Sequence, residues 1–155
     1  MTTDEPLDRA DRALMNSLQA DADQSLQEVA DACGLSTATA HRRIKRLKAK
    51  GYISRTVALA DPKRSAAPQT AITEVKMGHL GEPARAAFRK AVAETPEVVQ
   101  CWGVTGEIDY VLVLQLRDVA HYEEVVNGLL NATGVSTFRS YFVLRRVKFE
   151  TALPF

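Results

Sequence analysis

No stretch of this 155-residue sequence approaches the roughly 18 apolar residues that a membrane-spanning helix needs. The start, MTTDEPLDRA, is acidic and lacks the basic-then-apolar pattern of a secretory signal. A cytoplasmic protein with no membrane partner is therefore expected. Cysteine is scarce. Cys33 and Cys101 form no CxxC pair and share no ligand spacing with His41, His79 or His121, so no metal is expected. Each thiol sits in an apolar stretch and reads as a buried structural residue. The scattered histidines join no serine, cysteine or acid into a catalytic constellation, so neither enzymatic chemistry nor a cofactor is predicted.

Charge of one sign is also missing, but only on average. The net charge of +1 conceals a block, residues 33–64, with nine Lys or Arg and a single acid, Asp61. That block carries +8 and the rest of the chain −7. A basic block in an acidic protein suits a local anionic partner, although a solvated charged helix has the same composition.

The block falls on a recognisable pattern. Asp8 precedes a helix with Ala10, Leu14 and Leu18 on one face and Asp11 in its first turn. Ser25 and Glu28 make a capping box for a second helix, whose apolar stripe is Leu26, Val29, Ala30 and Cys33. Gly34 ends it, and Ser36 caps the next. Two helices joined by so short a glycine turn are the helix-turn-helix unit, and the small Ala30 permits close approach.

In the third helix, about 37–50, Ala40, Ile44 and Leu47 face inward. The opposite face holds Ala38, Arg42, Lys45 and Ala49, with Thr39, His41 and Arg46 on the flanks. Small residues at the N-terminal end suit entry into a DNA major groove. Thr37, Thr39, His41 and Arg42 are the candidates for base edges, with Ala38 small enough to permit close approach to DNA, and Arg42 suits a bidentate pair with guanine. Lys45, Arg46, Lys48 and Lys50 suit phosphates. Arg43 lies near the apolar edge, where an internal salt bridge and a DNA contact are equally open. A hairpin used only for protein contact is the competing use.

Tyr52–Ala60 reads as a strand, and 61–69, containing two prolines, as a linker. This gives a DNA-binding unit at 1–51, strand and linker at 52–69, and a second domain at 70–155. In that domain a strand is predicted at 70–77, a helix at 83–94, strands at 98–104 and 108–116 around a turn at Thr105–Glu107, a helix after Asp118, and a long last strand at 135–149. The order β-α-β-β-α-β predicts an α+β, ferredoxin-like fold: an antiparallel sheet with both helices on one face. The other sheet face keeps apolar and aromatic residues, for which a two-fold homodimer is the simplest cover.

The stretches LDRADRALMNSLQADAD, SLQEVADACGLSTATAHRRIKRLKAKGYI, TPEVVQCWGVTGEIDYVLVLQL and VSTFRSYFVLRRVKFETALPF span almost the whole chain. In this order and spacing they closely resemble the leucine-responsive/asparagine-regulator (Lrp/AsnC) family of transcription factors. The resemblance implies a winged helix-turn-helix on double-stranded DNA, a role in amino-acid metabolism, and dimers that assemble into octamers or similar rings. It also implies a small effector, commonly an amino acid, held between protomers at the turn after the second strand of the C-terminal domain. Here that turn offers Val104, Thr105, Gly106, Glu107, Asp109 and Tyr110, with Ser136, Thr137 and Ser140 as weaker candidates. Free backbone N–H groups around Gly106 suit a carboxylate and Asp109 an ammonium group. The competing reading is that Gly106 only permits the turn and Asp109 pairs within the fold. Two departures stand out: Thr37 replaces a frequent proline, and Ala40 a larger aliphatic residue. An effector-independent, architectural DNA-binding protein is the alternative function.

Overall fold

The structure is a computed structural model that describes residues 6–78, 81–130 and 134–155. The chain divides into two compact units: one runs to Ala58 and takes in Lys148–Phe155, the other is Leu59–Val147. No helix among the described residues is long and apolar enough to cross a membrane.

The first unit is three helices, α1 (Arg9–Ala20), α2 (Leu26–Ala32) and α3 (Thr37–Ala49). The side chains of Asp8, Ser25 and Ser36 each accept a backbone N–H three residues on, and Ser25 and Glu28 form the reciprocal capping box. Leu14, Met15, Val29, Ala30, Ala40 and Leu47 make one buried cluster, with Ile44 and Tyr52 packed against it. Phe155 joins this cluster as well. Its segment is tied to α1 by a two-way clasp: Gln19 Nε2 donates to the Leu153 carbonyl at 2.9 Å, and the Leu153 N–H donates to Gln19 Oε1 at 2.7 Å. The tail, expected in the second domain, therefore completes the first.

The strand expected over Tyr52–Ala60 does not form. Tyr52 and Ile53 donate their N–H groups to the Leu47 carbonyl, and the following residues run without regular pairing, leaving Val57 and Leu59 exposed. Alternating apolar residues make a strand only when another edge meets their backbone groups, and among the described residues no strand pairs with this segment.

The second unit has the expected order: β1 (Gln69–Met77), α4 (Gly81–Glu94), β2 (Val98–Gly103), β3 (Tyr110–Leu116), α5 (Val119–Leu130) and β4 (Val135–Phe142). The sheet runs β2-β3-β1-β4, with every pair antiparallel. Ala71, Val75 and Met77 of β1 and Tyr110, Leu112, Leu114 and Leu116 of β3 share a core with Phe88 and Val92 of α4 and Val126, Leu129 and Leu130 of α5. Thr73, fully buried in the same row, bonds the Ser140 hydroxyl at 2.7 Å, and Tyr122 donates its hydroxyl to Ser140 at the same distance. That network satisfies the polar groups inside an apolar layer.

Alternation puts Ile72, Val111, Val113, Trp102 and Tyr141 on the opposite face, where Trp102 is 60% exposed and Tyr141 45%. The last strand ends at Phe142 rather than Phe149. Its partner β1 supplies pairing only back to Ala71, with one further bond from Val143 N–H to the Thr70 carbonyl, so there is no edge for residues beyond.

Candidate nucleic-acid interface and ligand cleft

The turn between α2 and α3 is fixed by backbone geometry. Gly34 adopts φ +65°, the Leu35 N–H donates to the Ala30 carbonyl at 2.9 Å, and the Gly34 N–H donates to that of Asp31 at 3.1 Å. This is the two-bond glycine stop that satisfies the last carbonyls of a helix. A Cβ on Gly34 would meet nothing within 4 Å, so the left-handed conformation, not crowding, calls for glycine.

Electrostatics then orient α3. Asp11 of α1 is buried, and its two carboxylate oxygens take Arg43 Nη1, at 2.9 Å, and Arg46 Nη2. Arg43 Nη1 also reaches Asp8 at 2.7 Å. The Asp11 backbone N–H and the Arg43 guanidinium hold the Asp8 carboxyl below its ordinary value, and the same pairing raises Arg43. Of the two readings open for Arg43, the internal ion pair is the one observed. Arg46, expected at phosphates, is likewise engaged by Asp11. A buried carboxylate surrounded by charge-assisted bonds sets the rotation of the helix about its axis.

That rotation leaves Ala38, His41, Arg42, Lys45 and Lys48 exposed, while Ala40 and Leu47 are buried. Among the described residues, Arg42, Lys45 and Lys48 have no ion-pair partner. Thr37 donates its hydroxyl to Gln27 Oε1 at 2.7 Å, and Thr39 accepts from the Ser36 hydroxyl at 2.8 Å, so both hydroxyls support the turn. Lys50 is exposed at the end of the helix. Gln27 was not anticipated; only the folded turn places it beside Thr37.

The turn between β2 and β3 borders an open cleft of about 480 Å³ lined by Lys76, Met77, Gly78, Gly81, Arg85, Gly106, Glu107 and Asp109. Of the residues expected at an effector site, Gly106, Glu107 and Asp109 meet here. Val104 and Thr105 are exposed nearby on the turn, and Ser136 donates to the Lys76 carbonyl at 3.0 Å, next to Thr137. Two others turn away from the cleft. Tyr110 is buried with its ring 4.8 Å from that of Phe88, and Ser140 belongs to the Thr73–Tyr122 network. Asp109 ends the turn and lines the cleft, whereas Tyr110 opens β3 with its ring in the core.

Asp109 is held on three sides. Its N–H donates to the Val75 carbonyl, its Oδ2 accepts the Met77 N–H at 2.8 Å, and its Oδ1 pairs with Arg85 Nη2 at 2.9 Å. Arg85 stands one helical turn before the buried Phe88 on the same side of α4, which carries the guanidinium to the end of the sheet. Sequence reading missed Arg85 because no periodicity links a helix residue to a strand end 24 positions further on.

The remaining candidates are structural. His121 Nδ1 accepts the Arg117 N–H at 3.3 Å and its Nε2 faces Glu97 at 3.2 Å. Among the described residues no three His, Cys, Asp or Glu side chains gather as a metal site; His79 lies outside them. Cys33 is half-buried against the helical core, but Cys101 is exposed on edge strand β2, contrary to expectation. Desolvation at the sulfur pushes the Cys33 thiol up, and the Cys101 thiol as well although its residue is exposed overall.

A helix-turn-helix with an exposed cationic third helix, joined to a ferredoxin-like unit with a cleft at its β2–β3 turn, is the architecture of a DNA-binding transcription regulator. Comparisons with known proteins agree. Residues 7–54 match the model described as winged helix-turn-helix DNA-binding, and residues 70–153 match the Lrp/AsnC ligand binding domain. The DNA-binding transcriptional activator DecR of Escherichia coli (strain K12) is 36% identical, over 96% of this chain and 98% of its own. An AsnC family transcriptional regulator from Agrobacterium tumefaciens superposes with a TM-score of 0.90 at 30% identity, covering 96% of this chain and 97% of that one. A transcriptional regulator from Neisseria meningitidis, solved as its L-Met complex, matches with the same score, identity and coverage. The chain belongs to the Lrp/AsnC family, and it is a transcription regulator rather than an enzyme.

Proposed function

We propose that the chain is a sequence-specific DNA-binding regulator in the cytoplasm that responds to an amino acid or related metabolite bound between protomers. In this reading it acts as a homodimer that assembles further into an octamer or similar ring. The observation that carries the DNA-reading half is the division of labour on α3: Asp11 ties Arg43 and Arg46 inward while Arg42, Lys45 and Lys48 stand free on the outer face. Thr37, Ala38, Thr39, His41 and Arg42 then lie at base edges, and Lys45, Lys48, Lys50 and the outer edge of Arg46 at phosphates. The effector half is supported by the cleft at Gly106, Glu107 and Asp109 and by the L-Met complex of the Neisseria meningitidis regulator.

Selection from random duplex DNA, with and without each of the twenty amino acids, tests both halves. The expected result is an enriched palindromic motif whose affinity changes with at least one amino acid, and the logarithm of that affinity falls linearly with log salt. Enrichment of no motif, with binding indifferent to every amino acid, favours the architectural alternative.

A further inference from the structure

The Arg85–Asp109 ion pair sits in a cleft rather than on an open surface or in a core. Arg85 is 45% exposed and Asp109 21%, and their bond of 2.9 Å spans the cleft wall between α4 and the β2–β3 turn. Asp109 does not depend on Arg85 for its position, because the Met77 N–H holds the other carboxylate oxygen and two backbone bonds hold its main chain. Arg85 rests on a helix anchored independently by Phe88 and Val92. The pair can therefore open by a turn of the half-exposed Arg85 side chain, with Asp109 and both backbones staying in place.

We infer that this ion pair is the specificity element of the cleft, exchanged on binding for the two charges of a zwitterionic α-amino acid. The ligand carboxylate takes the Arg85 guanidinium, and the ligand ammonium takes Asp109 Oδ1. One internal charge-assisted bond is replaced by two to the ligand, and the cleft gains no net charge. A ligand with only one of the two charges leaves a partner stranded: an amine strands Arg85, and a hydroxy acid strands Asp109. Leaving a charged hydrogen-bonding group unmatched in a partly enclosed site is what rejects an analogue. Charged hydrogen bonds contribute about 1.5–3 kcal/mol, so each single-charge analogue should bind about 10- to 100-fold more weakly. The inference assigns Arg85 a role in recognition and rests on the amino-acid reading given under Proposed function.

The test is calorimetric titration of the full chain. Each of the twenty L-amino acids is compared with its decarboxylated amine and its α-hydroxy acid, for wild type, Arg85→Ala and Arg85→Lys. The inference expects wild type to prefer the amino acid over both analogues by tenfold or more. Arg85→Ala should bind the amino acid no better than the amine, and Arg85→Lys should recover part of the preference. A ligand-free melting curve for each variant separates loss of recognition from loss of fold, and the wild-type analogue series decides if Arg85→Ala fails to fold. Equal binding of amino acid and amine by wild type, or an undiminished preference in folded Arg85→Ala, overturns the inference and leaves amino-acid binding intact. Binding of no amino acid by wild type overturns the effector reading itself, and this inference with it.

Discussion

Arg42 and Arg43 are neighbours with opposite assignments, and one side chain on another helix makes the difference. Buried Asp11 commits Arg43 and Arg46 to the fold and leaves Arg42 exposed, where the proposed reading sets it against a base edge. Arg42→Ala is expected to cost about 1–3 kcal/mol on the selected site and much less on random duplex. Parallel titrations on the two DNAs measure this, and equal losses on both would reduce Arg42 to a phosphate contact. The choice between internal pair and DNA contact at Arg43 was not readable from the chain. Both readings satisfy the 100° spacing of a helix, and the deciding acid lies 32 residues away.

Local chemistry made the helices of the first unit legible. Ser25, Glu28, Gly34 and Ser36 announce their ends through bonds that span three to five residues, and the structure reproduces each one. The same chemistry gives an acid response. Asp8 and Glu28 are held below their ordinary values of 3.8 and 4.5 by bonds made only in the folded unit. Their stabilisation is complete above those ordinary values and is lost as pH falls through the depressed folded ones. The melting temperature, followed by helical circular dichroism, should therefore fall from pH 5 to pH 3, and less steeply in Glu28→Gln. Elements that depend on distant edges were less legible. Tyr52–Ala60 and residues 143–149 have the alternation of strands, yet pairing partners decide whether a strand exists. Of the residues that line the cleft, Gly106, Glu107 and Asp109 were pointed to by the family resemblance, whereas Lys76 and Arg85 arrive by tertiary folding alone.

For the molecule as a whole, the open sheet face carries the largest demand. Ile72 stands between Val113 and Tyr141, and with the exposed Trp102 these side chains make an apolar surface on the sheet face opposite the core shared with α4 and α5. Burying such a surface contributes about 25 cal/mol per Å², and an unpaired charge at its centre removes far more than its own share. Ile72→Glu is thus expected to weaken association by at least about 100-fold, with the ligand unit itself still folded. Light scattering during size-exclusion chromatography reads the result: wild type should elute as a dimer or larger, the variant as a monomer. An unchanged mass for the variant would move the interface elsewhere.

The clasp between Gln19 and Leu153 also sets a timetable. Its partners are 134 residues apart, with the whole ligand-binding unit threaded between them. A ribosome adding about 5–20 residues per second reaches Leu153 roughly 7–27 seconds after Gln19. Through that interval the nascent helix-turn-helix exists with the Phe155 position of its core unfilled. The helix-turn-helix unit thus waits until the whole second unit has been translated before its clasp can form.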